Sequence, residues 1–151
     1  MQSDFYPNLE TEGALVAYAL DDDAGGAEIK SRLLLAGVPA GRIAKLSVPG
    51  VENLLEAASY RKTFLGVLAE CNPGKRLPNA PTLSSRKDRS WAAEMEEWTR
   101  AAGMRPPSKV AVASRLLQDG QAIPSAASRK DLKRLHETLT RALTPVSSRQ
   151  A

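Results

Sequence analysis

The sequence predicts an α/β fold in which a parallel βαβ core is followed by a helical C-terminal region. An apolar run from Ala14 to Leu20 ends in three aspartates, and residues of helical period follow it. A second run, Arg42 to Val48, alternates in polarity and ends at Pro49-Gly50. Strand, helix and strand in this order favour a parallel pair of strands with a crossover helix between them. We therefore predict the core at residues 14–71.

The first strand is predicted to be buried, because Ala14 to Leu20 is mostly apolar. The three aspartates, Asp21, Asp22 and Asp23, then lie at its carboxyl end, where open α/β sheets bind ligands. Adjacent carboxylates repel one another, so we expect a cation among them. The alternative is that the acids only favour the dipole of the helix that follows.

Two helical segments complete the predicted core. The crossover helix ends at Gly37, a residue type that favours the left-handed conformation of a helix cap, and Pro39 prevents its resumption. After the second strand, a helical region runs from Val51 to Leu68 or Cys71, with a break near Ser59. Residues 1–13 show no clear periodicity and are interpreted as a lead-in.

The second half of the chain is predicted to be a loop followed by helices. Residues 72–89 are rich in Pro, Asn, Ser and basic residues, so we predict either a phosphate-contacting loop or a soluble connector. Its cations are Lys75, Arg76, Arg86, Lys87 and Arg89. For residues 90–145 we predict helices that begin directly after the capping residues Ser90 and Ser108, and we interpret residues 146–151 as a tail. Trp91 and Trp98 have helical spacing with Met95, which favours a core position over stacking on bases.

Composition excludes several classes of protein. The 151 residues suffice for one domain, and no apolar run approaches the roughly 20 residues of a membrane span. One cysteine and one histidine exclude an internal disulfide and a zinc cluster. The N-terminal residues lack the pattern of a signal peptide, so we expect a cytoplasmic protein without a membrane partner.

Charge is distributed unevenly along the chain. Residues 1–74 hold 6 Lys and Arg against 10 Asp and Glu, a net charge of −4, whereas residues 75–151 hold 15 against 7, a net charge of +8. This asymmetry favours a metal site beside a surface that binds a polyanion, although solvated helix faces explain it equally well.

The spacing of the acids indicates a divalent metal. Asp21 and Asp23 project the same way if the strand geometry continues. Two carboxylates side by side suit Mg²⁺ or Mn²⁺, and the glycines after them allow a phosphate to approach the N-terminus of the helix. Asp22 faces the other way and is assigned no role.

The D-x-D-x-x-G pattern of Asp21, Asp23 and Gly26, with Glu52 before Leu54-Leu55, resembles the second half of a TOPRIM domain. It is most similar to the overcoming-lysogenization-defect (OLD) nuclease family. The resemblance implies that Asp21, Asp23 and Glu52 are metal ligands. Lys109 would be the cation near the scissile phosphate of a DNA substrate. Glu52 is otherwise a favourable acid in the first turn of a helix, and Lys109 a solvated lysine.

The sequence departs from that family at its start. A TOPRIM domain begins with a strand that carries a catalytic Glu, and Glu12-Gly13 lies too close to Asp21 to be that motif. We therefore expect a fragment of a longer reading frame, a split subunit completed by an ATPase/TOPRIM partner chain, or a degenerate relative that folds alone.

Three functions follow as hypotheses. The first is a metal-dependent DNA endonuclease, and the second a non-catalytic DNA-binding or regulatory subunit that completes a partner's site. The third is a nucleotide-sugar transferase. In such enzymes D-x-D also ends a strand, but a long nucleotide-binding section precedes the motif. The missing Glu motif favours the second hypothesis over strong activity of this chain alone.

Overall fold

The chain has an α/β fold in a computed structural model that describes residues 15–83 and 89–144. The elements are β1 (Tyr18–Leu20), α1 (Ala24–Leu35), β2 (Ile43–Lys45), α2 (Ala57–Cys71), α3 (Trp91–Ala101), α4 (Lys109–Gln118) and α5 (Arg129–Ala142), with 3₁₀ turns at Ala40–Arg42 and Val51–Leu54. The described residues divide into a first unit, 15–47 with 130–144, and a second unit, 48–83 with 89–129.

The first unit contains the predicted parallel pair of strands. β1 and β2 pair with Tyr18 opposite Ile43 and Leu20 opposite Lys45. The Leu46 amide extends the ladder by donating to the Leu20 carbonyl at 2.8 Å. α1 connects the two strands and contacts β1. The prediction of a βαβ unit is therefore confirmed.

β1 is less buried than the sequence predicts. Ala19, in the middle of the strand, is exposed, and its neighbours Tyr18 and Leu20 are only half-buried. Among the described residues the sheet has two strands. The buried apolar residues of the unit are correspondingly few: Leu33, Val38, Ala44 and Leu46. The prediction of a buried strand was wrong, and Ala14 lies outside the described residues.

The second unit has a larger core, to which α2, α3 and α4 all contribute. Its buried cluster comprises Tyr60, Phe64, Val67, Leu68, Leu83, Trp91, Met95, Met104, Val112 and Leu116. The Tyr60 ring lies 5.8 Å from the Trp91 ring between centroids. Trp98 packs against the cluster while partly exposed. The prediction that Trp91 and Met95 are core residues is confirmed.

The helical region after β2 is interrupted earlier than predicted. The break falls at Leu55 and Glu56, whereas Ser59 lies within α2. Leu55 is extended and forms an antiparallel bridge with Pro124. The Glu56 amide donates to the Ile123 carbonyl at 2.8 Å. A pairing with a segment almost 70 residues away is invisible to local periodicity, which is why the position was missed.

The described part of the 72–89 segment is anchored to the second unit. Leu83 is buried in the core cluster. The Arg61 guanidinium donates to the carbonyl oxygens of Ala80 and Pro81, at 3.0 and 3.1 Å. These contacts hold residues 80–83 to the second unit, and both predicted roles of the segment, a phosphate-contacting loop and a soluble connector, stay predictions; Arg86 and Lys87 lie outside the described part.

Candidate functional site

Asp23 caps helix α1. Its backbone is extended, and Oδ1 accepts a hydrogen bond from the Gly26 amide at 2.6 Å. An aspartate in this position satisfies one of the free N–H groups of the first helical turn. The structure thus assigns Asp23 the helix-terminal role that the sequence left open as an alternative to metal binding.

Asp22 forms an ion pair with Lys45 at the carboxyl end of the sheet. Lys45 is the last residue of β2 and lies opposite Leu20 in the parallel register. The expected cation among the acids is thus, for Asp22, a lysine side chain of this chain. Asp22 therefore has a partner, although the sequence assigned it no role. The register of the two predicted strands is the signal that would have found Lys45.

Glu52 belongs to a set of acceptors at the N-terminus of α3. Its Oε1 accepts from the Ala92 amide at 3.1 Å, and Asn53 Oδ1 accepts from the Trp91 amide at 3.1 Å. Ser90 Oγ accepts from the Ala93 amide at 3.2 Å. Three successive N–H groups that the helix cannot satisfy itself therefore have side-chain partners. Sequence reasoning found the Ser90 cap but not the two acceptors from the Val51–Leu54 turn.

Lys109 is the first residue of α4, and it is exposed. The Ser108 side chain caps this helix by accepting from the Ala111 amide at 3.1 Å, as predicted. Within the described residues the Lys109 ammonium group has no hydrogen bond or ion pair. Its predicted proximity to a scissile phosphate stays a prediction.

The predicted site residues belong to different units. Asp21 and Asp23 lie in the first unit, and Glu52 and Lys109 in the second. Within 15–83 and 89–144, no three His, Cys, Asp or Glu side chains are grouped so that they could hold a metal ion. Asp23 and Glu52 also cap helices, and binding of Mg²⁺ or Mn²⁺ by Asp21, Asp23 and Glu52 stays a prediction.

Of the described loop cations predicted to contact phosphates, two are engaged within the second unit and Arg76 is exposed. Lys75 donates to the Gly103 carbonyl at 3.0 Å, and Arg89 pairs with Glu97. Arg115 pairs with Glu70 through two 3.0 Å hydrogen bonds, which raise the pKa of the guanidinium. These contacts stabilise the second unit rather than forming an open basic surface.

Helix α5 carries exposed cations that none of these contacts engage. Besides Arg129, the first residue of the helix, they are Lys130, Lys133, Arg134 and Arg141. Within the described part of the chain none of the four forms an ion pair. Leu132, Leu135 and Leu139, at helical spacing on the other side, are half-buried. We call the four cations the α5 basic face.

Comparison with known proteins gives no assignment. The chain matches no protein-family model, and no curated protein or solved structure is significantly similar to it. The resemblance to the OLD family stays a prediction that depends on the motif positions alone. None of the helices in the described part combines the length and the apolar character of a bilayer span.

Proposed function

We propose that this chain binds DNA and does not cleave it by itself. The observation that carries the proposal is the α5 basic face, whose four cations are exposed and form no ion pair with a described residue. A patch of unpaired lysine and arginine on one helix complements the phosphates of a nucleic acid. Two of the acids that cleavage would use serve as helix caps, since Asp23 accepts from the Gly26 amide and Glu52 from the Ala92 amide.

The chain is proposed to act as a subunit whose first unit is a partial TOPRIM-like sheet completed by another chain. Asp21, Asp23 and Gly26 stand between β1 and the first turn of α1, as the resemblance expects. Leu34 and Leu35 of α1 are 43% and 89% exposed, and Ala19 of β1 is exposed as well. Apolar residues left in solvent support a protein partner for this unit.

Duplex binding in EDTA, followed by a plasmid-nicking assay in Mn²⁺, tests the proposed function. We expect the full chain to bind DNA without metal and to leave a supercoiled plasmid intact when Mn²⁺ is added. Failure of the full chain to bind the duplex in EDTA would contradict the proposal. So would metal-dependent nicking that the double variant Asp21→Ala with Asp23→Ala abolishes.

A metal-dependent endonuclease is the second candidate function. It is favoured by the two-residue spacing of Asp21 and Asp23 directly after β1. Because these residues are not grouped with a third ligand in the described part, this candidate takes further ligands from residues outside that part or from a partner chain. It predicts Mn²⁺-dependent nicking by the full chain, alone or with the partner, that Asp21→Ala removes without changing DNA binding in EDTA.

A further inference from the structure

We infer that the α5 basic face binds the sugar-phosphate backbone of duplex DNA, and that Glu137 at its centre weakens this binding. The inference rests on the proposed function, for which it names the contact surface and the form of the nucleic acid. Lys130, Arg134 and Arg141 lie at spacings of four and seven residues, so their side chains share one side of the helix. Lys133 flanks them.

The length of this face suits a polyanion with closely spaced charges. Lys130 and Arg141 are eleven residues apart, which is roughly 16 Å along an α-helix. Over that distance a DNA duplex presents about nine phosphate charges, since it carries one per ~1.7 Å of its axis. Over this length the duplex therefore offers more phosphates than the face has cations.

The other side of α5 disfavours insertion into a membrane. A helix that lies in a bilayer interface needs an exposed apolar face. In α5 the apolar stripe is half-buried in the protein: Leu132, Leu135 and Leu139. The Asp131 carboxylate also accepts a 2.8 Å hydrogen bond from the Ser47 hydroxyl, which links the first turn of the helix to the end of the βαβ core. The surface left for a partner is thus polar and cationic.

The composition of the face favours duplex over single-stranded DNA. Proteins that bind single strands combine cations with aromatic residues on which the bases stack. α5 contains no Phe, Tyr or Trp, and it has no Asn or Gln to read adenine in the major groove. Its lysines and arginines can contact phosphates, which carries no sequence information, or read guanine in the major groove, so equal affinity for duplexes of unrelated sequence is the mark of backbone contact.

Glu137 lies between the cations of the face. It is four residues from both Lys133 and Arg141 and three from Arg134, it is exposed, and it forms no ion pair with a described residue. A carboxylate at this position repels phosphates that the neighbouring cations attract. Glu137→Gln should therefore strengthen duplex binding severalfold. If Glu137 instead accepted a hydrogen bond from a cytosine, the same substitution would weaken binding and make it less sequence-dependent.

The test is the salt dependence of binding by the full chain, measured by fluorescence anisotropy with short duplexes of two unrelated sequences. Four phosphate contacts predict a log–log slope of roughly −3.6, since each contact contributes about 0.9, and thus a loss of about a hundredfold between ~50 and ~200 mM salt. Lys130→Gln with Arg134→Gln should reduce the slope by about 2. Lys30→Gln with Arg32→Gln on α1 of the same unit is the matched control, and it should keep the slope.

The outcomes separate the inference from the proposed function. Equal affinity for both duplexes, a lower slope in the α5 variant and tighter binding by Glu137→Gln support the inference. Duplex binding that the α5 variant leaves unchanged would overturn the inference but leave the proposed function intact. Tighter binding to a single strand, or to vesicles of anionic lipid, would also overturn the inference. Failure of the folded wild-type chain to bind any DNA would overturn both.

Discussion

A side chain at position 26 would overlap the backbone carbonyl oxygen of Asp21, so glycine is required there for space. Gly26 is buried in the first turn of α1, and its amide is held by Asp23. The glycine of the D-x-D-x-x-G pattern thus has a structural explanation that needs no phosphate.

Gly26→Ala is expected to destabilise the first unit by about 1–3 kcal/mol, the usual cost of forcing extra atoms into a packed site. Gly25→Ala is the control, because a methyl group there would meet Asp23 Oδ1 at an ordinary distance of 3.4 Å. Amide hydrogen exchange along α1 measures both variants. Equal exchange rates in the two variants would contradict the overlap.

Tyr60 gives the second unit a predicted sensitivity to alkaline pH. Burial in the core and, to a smaller extent, the charge of Glu52 raise the pKa of its phenol above the ordinary value of 10.0. The native state therefore holds the proton more tightly than the unfolded state. The stability that this provides is complete below about pH 10 and is lost as the pH rises toward the native pKa.

Tyr60→Phe is expected to remove this dependence while keeping the ring. Above about pH 10 the free energy of unfolding of the wild type should fall by up to ~1.4 kcal/mol per pH unit relative to the variant. Urea titrations followed by fluorescence report on this unit, since Trp91 and Trp98 both lie in it. Parallel curves for the two proteins between neutral pH and pH ~11 would show that Tyr60 does not titrate with folding.

The N-terminus of α3 is an element held by side chains from two separate segments. Ser90 directly precedes the helix, whereas Glu52 and Asn53 reach the helix N-terminus from the Val51–Leu54 turn. This gives Glu52 a reason for its position before Leu54 that is independent of metal.

Substitutions at Glu52 distinguish the cap from the predicted metal ligand. Glu52→Gln keeps an oxygen for the Ala92 amide and should change stability little, whereas Glu52→Ala should cost about 1 kcal/mol, as loss of a helix cap does. Urea denaturation with Trp fluorescence provides the comparison. Equal stability of Glu52→Ala and the wild type, together with loss of Mn²⁺ affinity in Glu52→Gln, would restore the ligand assignment.

Helix ends were predicted better than strands. Ser90 and Ser108 were identified as caps and Gly37 as the end of α1, because these signals act within a few residues. The strands were predicted longer than Tyr18–Leu20 and Ile43–Lys45, since the extent of a strand depends on its partner. The same limit hid the pairing of Leu55 with Pro124.

At the scale of the whole molecule, the uneven charge was visible in the sequence, but which cations are paired and which are exposed was not. Counting could not show that Arg89 and Arg115 are paired within the second unit while Lys130 and Arg134 remain exposed. The D-x-D spacing likewise could not show that Lys45 lies beside Asp22, because that contact depends on the strand register.

The most direct test of DNA binding by the α5 basic face is a heteronuclear NMR titration of the full chain with a short duplex in EDTA. We predict the largest amide shifts around Lys130, Arg134 and Arg141, with little change between Asp21 and Gly26. Shifts that concentrate at Asp21 to Gly26 and leave α5 unchanged would contradict this assignment.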